Sequence, residues 1–352
     1  MTVRRLADGS WESPATRQAT PEMNIPKMLR LRAENYPSQV AIERRSPVGA
    51  WRPVTIDQFL ADADSLARGL IALGLEPGEH LAILAPTSYE WALVDVAALS
   101  CGAITVPIYE TDSAVQIAHI LKDADVRIVI TATSQQAELV QSVRTDRVRQ
   151  ILSIDKGAQR VLAQAGIAVP IEKVRERTDA VTLEDEATII YTSGTTGVPK
   201  GVVLTHGNFI SPMLQAYDFL PLLINDPRSR SLLFLPVAHV LARLVIVAFS
   251  PDTRNLVDDI ATFKPSMLLV VPRVLEKVFN AASAKAGGGF KGRMFSWAAQ
   301  QARALSQATA YANTPKPESL VAGPRRRSLT PRKSPHPALR HCSRFAGESP
   351  TL

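Results

Sequence analysis

A regular alternation of amphipathic helical segments and short apolar segments limits the fold of this 352-residue chain more than any other feature. The segment from Thr55 to Leu75 has helical periodicity and begins with a capping box, in which Thr55 is followed three residues later by Gln58. A second helix is expected to start at Thr87 and to run to Gly102. The sequence further predicts a helix over 113–123 and strands over 79–85, 103–108, 126–131 and 150–154. This alternation is typical of an α/β domain with a largely parallel sheet.

The second half of the chain repeats the alternation without repeating the sequence. Apolar segments predict strands over 188–191, 201–204, 231–235 and 266–271. Helical patterns start near residue 208 and cover 237–247, 273–284 and 291–312. Pro272 ends the last strand and suits the first turn of the helix that follows it.

A loop rich in glycine and hydroxyl side chains joins two of these strands. Its residues are Thr192, Ser193, Gly194, Thr195, Thr196, Gly197, Val198, Pro199, Lys200 and Gly201. The glycines let the backbone approach a ligand closely, successive N–H groups can form an anion-binding nest, and Lys200 adds a positive charge. These groups suit a polyphosphate, and the alternative is a flexible surface loop. The loop is not a Walker A motif, because Gly201 stands where that motif has Ser or Thr.

Charge and composition exclude several classes of function. The net charge is +7, but the segment from Thr314 onward carries eight Lys or Arg and two acids, so it accounts for +6 and the rest for +1. A basic body that binds nucleic acid is therefore not indicated. Only two cysteines occur, which fits a reducing cytoplasm and gives no cysteine-based metal site. The most apolar stretch, 232–249, contains Pro236, His239 and Arg243, so no transmembrane segment is expected.

The C-terminal 40 residues have a different character. Seven prolines lie between Asn313 and Leu352 among arginines and serines, and no helical or strand period survives there. Such a segment is expected to be disordered. Two explanations stay open, namely a basic interaction tail and an out-of-frame read-through that ends a longer gene early.

The motifs of the chain resemble those of one family. YTSGTTGVPKG (191–201) resembles the triphosphate-binding loop of the AMP-forming acyl-CoA synthetases, which form acyl-adenylates. The segments 82–121, LPVAHVLAR (235–243) and 270–286 look like bacterial long-chain fatty-acid–CoA ligases. The resemblance covers about 23–312 and implies the N-terminal α/β subdomains of that fold, after a flexible N-terminus over 1–22.

The resemblance implies that ATP, a long-chain fatty acid and coenzyme A react to acyl-CoA, AMP and pyrophosphate. It implies that Thr192, Ser193, Gly194, Thr195, Thr196, Gly197 and Lys200 bind the β- and γ-phosphates. His239 would line the acyl and adenylate site, and Mg²⁺ would accompany ATP. For His206 a capping or packing role is favoured. No nucleic acid is expected as a partner, whereas peripheral membrane contact is compatible with a cytoplasmic protein of this kind.

The chain also departs from the family pattern. It has no YG-x-TE motif, whose Glu binds magnesium in the family, no TGD motif, and no C-terminal domain with a catalytic lysine, and Ser250 meets Pro251 where the family has a longer stretch. The chain is therefore expected to be an N-terminal portion with little activity alone and with 313–352 as a tail. The alternatives are a non-catalytic nucleotide- or acyl-binding module and a partner protein that acts through its basic tail.

Overall fold

The computed structural model describes residues 4–6, 8–12, 17–46, 49–192, 198–219, 229–234, 248–250, 255–268, 270 and 272–313. The chain divides into two units, Met1–Asn280 and Ala281–Leu352. Three sequence predictions lie outside the described residues: the central loop residues 193–197, the helix over 237–247 with His239, and the tail from residue 314.

Twelve strands and eleven helices are defined within the described residues. The strands are β1 Arg4–Arg5, β2 Trp11–Glu12, β3 Val40–Arg45, β4 Trp51–Thr55, β5 His80–Leu84, β6 Ile104–Ile108, β7 Val126–Thr131, β8 Gln150–Ser153, β9 Glu186–Thr192, β10 Lys200–Thr205, β11 Leu232–Leu233 and β12 Ala248–Phe249. The helices are α1 Ile25–Asn35, α2 Ile56–Ala72, α3 Tyr89–Ser100, α4 Ala114–Asp123, α5 Ser134–Val143, α6 Ala158–Ala165, α7 Ile171–Ala180, α8 His206–Phe219, α9 Leu256–Phe263, α10 Pro272–Ala286 and α11 Gly289–Asn313.

The central sheet of the first unit has six strands in the order β10-β9-β6-β5-β7-β8. The pairs among β9, β6, β5, β7 and β8 are parallel, and only β10 runs antiparallel, against β9. The predicted α/β domain with a largely parallel sheet is therefore confirmed. Because β9 pairs with β6, the chain returns across the sheet after β8 to place β9 and β10 at the far side.

Helices cover both faces of this sheet, as the near-continuous apolar sequence of its strands requires. On β5, Leu81 and Ile83 face a core that includes α2, α3, α6 and α7, whereas Ala82 and Leu84 face a core with α4 and α5. Alternate residues of a strand point to opposite faces, which explains this division. The positions of α4 and α5 matter for the site, because β9 contributes Tyr191 to the same face.

A second sheet has four strands in the order β11-β12-β3-β4. Helix α9 is tied to it through Asp259, which accepts a 2.6 Å hydrogen bond from the Ser250 hydroxyl and pairs with Arg45. The short join after Ser250 that the sequence revealed therefore begins at a residue that is buried and hydrogen-bonded.

Most predicted elements are confirmed, and two details are wrong. The capping box at Thr55 is present. The capping residue of helix α3, however, is Ser88 rather than the predicted Thr87, because the Ser88 hydroxyl accepts the Trp91 amide, and the helix ends at Ser100 rather than Gly102. The predicted strand over 266–271 is reduced, within its described residues, to one parallel bridge between Met267 and Ser231. Its neighbour β11 is only two residues long and offers no longer ladder.

Candidate functional site at the carboxyl edge of the parallel sheet

The predicted phosphate-binding loop connects the two strands of an antiparallel hairpin. Tyr191 pairs with Gly201 and Thr192 pairs with Lys200 at the last rung before the loop. Both Thr192 and Lys200 are exposed, so their side chains are accessible to a ligand. The structure thus brings together the two ends of the predicted site, while Ser193, Gly194, Thr195, Thr196 and Gly197 lie outside the described residues.

The loop begins at the carboxyl edge of the sheet. Strand β9 runs parallel to β6, which is parallel to β5, and β5 is parallel to β7. The loop after β9 therefore leaves the sheet at the edge where these three strands also end. Ligands of open α/β sheets bind outside the carboxyl ends of the strands, so the location agrees with a binding role for the loop.

Strand β9 is fixed in its position by buried hydroxyl groups. The Thr188 hydroxyl donates a 2.7 Å hydrogen bond to the carbonyl of Thr105 on β6, and the Thr105 hydroxyl donates to the Ala187 carbonyl over 3.4 Å. Thr105 and Thr188 are fully buried. These reciprocal bonds connect the hairpin to the centre of the sheet. They also give the buried hydroxyl groups hydrogen-bond partners, and a buried polar group without a partner would be costly.

Gly201 is required by the packing of the hairpin. A Cβ atom at this position would lie 2.8 Å from Cγ2 of Ile189 and 3.1 Å from Cζ of Tyr191. The Tyr191 ring therefore lies over the glycine of the opposing strand. A side chain at residue 201 would displace the ring of Tyr191, the residue immediately before the loop.

Helix α4 contacts both ends of the loop, which the sequence analysis did not predict. The Nε2 atom of His119 lies 2.9 Å from the carbonyl oxygen of Pro199, and the Tyr191 hydroxyl donates a 2.6 Å hydrogen bond to Asp123. The rings of His119 and Tyr191 meet edge to face, with centroids 6.1 Å apart. A histidine and an aspartate four residues apart, and therefore on one face of this helix, were the available signal.

Electrostatics keep the Tyr191 hydroxyl protonated. Burial first, and then the hydrogen bond and charge of Asp123, raise the pKa of Tyr191 far above its ordinary value. The hydroxyl therefore donates to Asp123 at every physiological pH. At the end of β6, burial similarly raises the pKa of Asp112, whose carboxylate accepts the Tyr109 amide over 3.1 Å.

The opposite, amino edge of the sheet carries a cleft of about 590 Å³. Three of its charged lining residues form ion pairs: Lys173 with Glu176 at 2.8 Å, and Arg177 with Glu76 at 2.8 Å. His206, also in this lining, accepts the Ile25 amide over 3.2 Å, in agreement with the packing role favoured from the sequence.

Two structural features are absent from the described part of the chain. No group of three or more His, Cys, Asp or Glu side chains there is placed to hold a metal ion. None of its helices is both long enough and apolar enough to cross a bilayer.

The chain has clear relatives among known proteins. A family model described as AMP-binding enzyme matches residues 29–322. The long-chain-fatty-acid–CoA ligase FadD15 of Mycobacterium bovis is 38% identical over 299 residues, which cover 81% of this chain and 50% of that protein. FadD15 of Mycobacterium tuberculosis is 37% identical over the same length and share. The chain therefore spans about half the length of these curated relatives.

Solved structures give the same picture. The inhibitor-bound N-terminal domain of FACL13 from Mycobacterium tuberculosis matches with a TM-score of 0.57 and 29% identity, over 72% of this chain and 64% of that one. A Mycobacterium tuberculosis fatty acyl CoA synthetase matches with a TM-score of 0.57 and 26% identity, over 72% of this chain and 50% of that one. These matches agree with the fold predicted from the sequence.

Proposed function

Because the chain belongs to the family of AMP-binding enzymes, we propose that it serves the ATP-dependent activation of long-chain fatty acids for transfer to coenzyme A. The observation that carries this proposal is the 38% identity to a long-chain-fatty-acid–CoA ligase over 81% of the chain. The location of the predicted phosphate-binding loop at the carboxyl edge of the sheet supports it. We propose that residues 23–312 supply the nucleotide-binding part of this activity, with little turnover by this chain alone. We place the protein in the cytoplasm, with peripheral contact to membranes as a source of fatty acid.

The reaction has two steps, and the proposed loop serves the first. A carboxylate oxygen of the fatty acid attacks the α-phosphorus of ATP, the bond to the β-phosphate oxygen breaks, and acyl-AMP and pyrophosphate form. In the second step the thiolate of coenzyme A attacks the acyl carbon and AMP leaves. The first step joins two anions, so positioned donors and cations contribute most of the rate enhancement.

Each predicted site residue has a place in this proposal. Thr192 and Lys200, the two ends of the loop, contact the β- and γ-phosphates together with the residues 193–197 between them. Lys200 supplies the positive charge that neutralises the departing pyrophosphate. His239 is proposed to line the acyl and adenylate side.

Magnesium is proposed to enter with the nucleotide. Mg²⁺ is commonly bound through substrate phosphates, water and one or two carboxylates rather than by an all-protein cage. When bound, the ion neutralises phosphate charge, and this chain's own contribution is to hold the triphosphate in line with the carboxylate.

The test compares two lysines on the two edges of the sheet. Lys200→Ala removes the charge at the loop, and we expect ATP affinity to fall by about tenfold to about a hundredfold, the worth of a hydrogen bond to a charged group. Lys173→Ala at the amino edge is the matched control and should bind ATP like the parent chain. Isothermal titration calorimetry of the purified chain measures both.

Turnover is measured separately from binding. Pyrophosphate release from ATP with palmitate, and with acetate as the short-chain control, reports the first step. ATP binding that depends on Lys200 without any pyrophosphate release would identify a non-catalytic nucleotide-binding module. Equal ATP affinity in the Lys200→Ala variant and the parent would contradict the proposed role of the loop.

A further inference from the structure

We infer that His119 and Asp123 of α4 are positioning residues that hold the two ends of the loop between β9 and β10, an inference that rests on the proposed role of this loop in triphosphate binding. The two side chains are four residues apart on α4 and therefore share one helix face. Neither needs to touch a ligand, because each acts on the backbone or the side chain of a residue next to the loop.

His119 holds the end at which the loop returns to the sheet. Its Nε2 atom lies 2.9 Å from the carbonyl oxygen of Pro199, the residue immediately before Lys200. A carbonyl oxygen only accepts, so Nε2 must carry a hydrogen. The ring of His119 is half-buried, which restricts its motion and fixes the direction of this donor.

Asp123 holds the end at which the loop leaves the sheet. The hydroxyl of Tyr191, the residue immediately before Thr192, donates to Oδ2 of Asp123 over 2.6 Å. Tyr191 is 4% exposed, and its ring meets the His119 ring edge to face at 88°. The two contacts are thus coupled through the pair of rings, so that α4 holds both ends of the loop as one unit.

Positioning at these two points affects the phosphate-binding groups directly. Lys200 has a flexible four-carbon side chain, and the position of its Cα atom decides which phosphate its ammonium group can reach. A loop whose ends are held before the ligand arrives loses less conformational freedom on binding, and preorganisation of this kind increases affinity. The contacts should therefore favour nucleotides that reach the loop, such as ATP, over AMP, which lacks the β- and γ-phosphates.

The experiment removes each contact and then restores it. His119→Leu and Tyr191→Phe abolish the donors, whereas His119→Gln keeps an N–H group near the position of Nε2 and should rescue. For the first two we expect ATP affinity of the full chain to fall by about fivefold, the worth of one net hydrogen bond, with AMP affinity unchanged. Asp123→Asn, whose amide oxygen still accepts, should bind ATP better than Asp123→Ala.

Hydrogen exchange gives a readout that does not depend on nucleotide binding. In the chain without ligand, we expect faster exchange of amides over 192–201 in His119→Leu and Tyr191→Phe, and exchange like the parent in His119→Gln. Glu138→Ala, an exposed acid on α5, is the control that should change neither measurement.

The outcomes separate this inference from the proposed function. Faster exchange in His119→Leu with rescue in His119→Gln, but no ATP binding by the parent chain, would retain the positioning contacts and reject the function. Unchanged exchange and unchanged ATP affinity in both His119→Leu and Tyr191→Phe would overturn the inference. A uniform loss of ATP and AMP affinity in all variants, including His119→Gln, would also overturn it, because it would indicate a general loss of structure.

Discussion

The two edges of the six-stranded sheet differ in how they use polar groups. At the amino edge, charged side chains pair with one another: Arg127 lies 2.8 Å from Asp125, Arg147 lies 3.0 Å from Asp125, and Arg149 hydrogen-bonds Glu79 over 3.1 Å. At the carboxyl edge, the described ends of the hairpin loop carry the exposed side chains of Thr192 and Lys200. The charges of the amino edge are satisfied by the protein itself, whereas those of the carboxyl edge are proposed to be used by a ligand.

This difference indicates that residues important for stability and residues important for ligand binding lie at opposite edges of the sheet. Substitutions at the amino edge should change the free energy of unfolding and leave ATP affinity unchanged. Substitutions at the hairpin should change ATP affinity. In a parallel sheet all strands start at one edge and end at the other, so stabilising ion pairs and a ligand-binding loop can lie at opposite edges.

The largest expected effects come from one alanine at each edge. Gly102 lies two residues before the start of β6 with φ +73, and a Cβ atom there would lie 3.3 Å from Cβ of Pro77. We expect Gly102→Ala to lower the free energy of unfolding by about 1–2 kcal/mol, because a non-glycine residue is strained in the left-handed region. Urea unfolding followed by circular dichroism measures this, and ATP affinity of the folded protein should be that of the parent.

Gly201→Ala is the counterpart at the carboxyl edge. The added Cβ would lie 2.8 Å from Ile189 and 3.1 Å from the Tyr191 ring. Overpacking of this kind costs about 1–3 kcal/mol, and it displaces the residue that enters the loop. We expect ATP affinity to fall in this variant only, and loss of ATP affinity in Gly102→Ala as well would remove the separation of the two edges.

Local signals predicted much of this fold. The Thr-x-x-Gln pattern located the start of α2 at Thr55, and that capping box is present. The helix predicted over 113–123 is also found, and a second capping box at Ser113 starts it. Strand β7 has the predicted bounds. The same capping signal at Thr133 and Gln136 marks α5, which was not predicted. Strands β3 and β4, which pair as a local antiparallel hairpin, were also missed, because charged residues and a proline interrupt the apolar pattern of VAIERR and WRPVT.

Only the loop of the candidate site could be predicted, because the residues of α4 that contact it lie far away in the sequence. Glycines, hydroxyl residues and Lys200 lie next to one another in the sequence, so their composition alone indicated a phosphate-binding loop. His119 and Asp123 precede that loop by roughly 70 to 80 residues. They reach it only because β9 returns to pair with β6, and no local pattern reports which strand will become the neighbour of another.

Replacing Glu79 at the amino edge should have a smaller effect on the free energy of unfolding. Partial burial acts to raise the pKa of Glu79. This pKa is nevertheless below its usual value, because Glu79 accepts hydrogen bonds from Arg149 and the Glu76 amide and lies near the charges of Arg149 and Arg127. Glu79→Ala leaves these arginines without their shared partner, and we expect a loss of about 1 kcal/mol in the free energy of unfolding. Glu138→Ala is the control of the same residue type, and equal stability of the two variants would show that the network contributes nothing.

The smallest expected effect is the pH dependence supplied by Asp125. Hydrogen bonds from Arg147, opposed by burial and helped by the charges of Arg127 and Arg147, hold the pKa of Asp125 below its usual value. A carboxyl group whose pKa is lower in the folded state stabilises the protein above its unfolded-state pKa, about 3.9, and this stabilisation is lost as the pH falls through the folded-state pKa. Asp125 has φ 46, which asparagine also tolerates, so Asp125→Asn removes the charge without straining the backbone.

The parent should therefore exceed Asp125→Asn in the free energy of unfolding by a few tenths of a kcal/mol at pH 7, as expected for exposed ion pairs. The difference should shrink in urea titrations at progressively lower pH below about 4, where the carboxyl group takes up its proton. Asp146→Asn, an exposed aspartate beside Arg147 in the sequence, is the matched control. If the difference in the free energy of unfolding persisted unchanged at acidic pH, Asp125 would act through its backbone conformation rather than its charge. Ion pairs at the amino edge would then contribute less to stability than their geometry indicates.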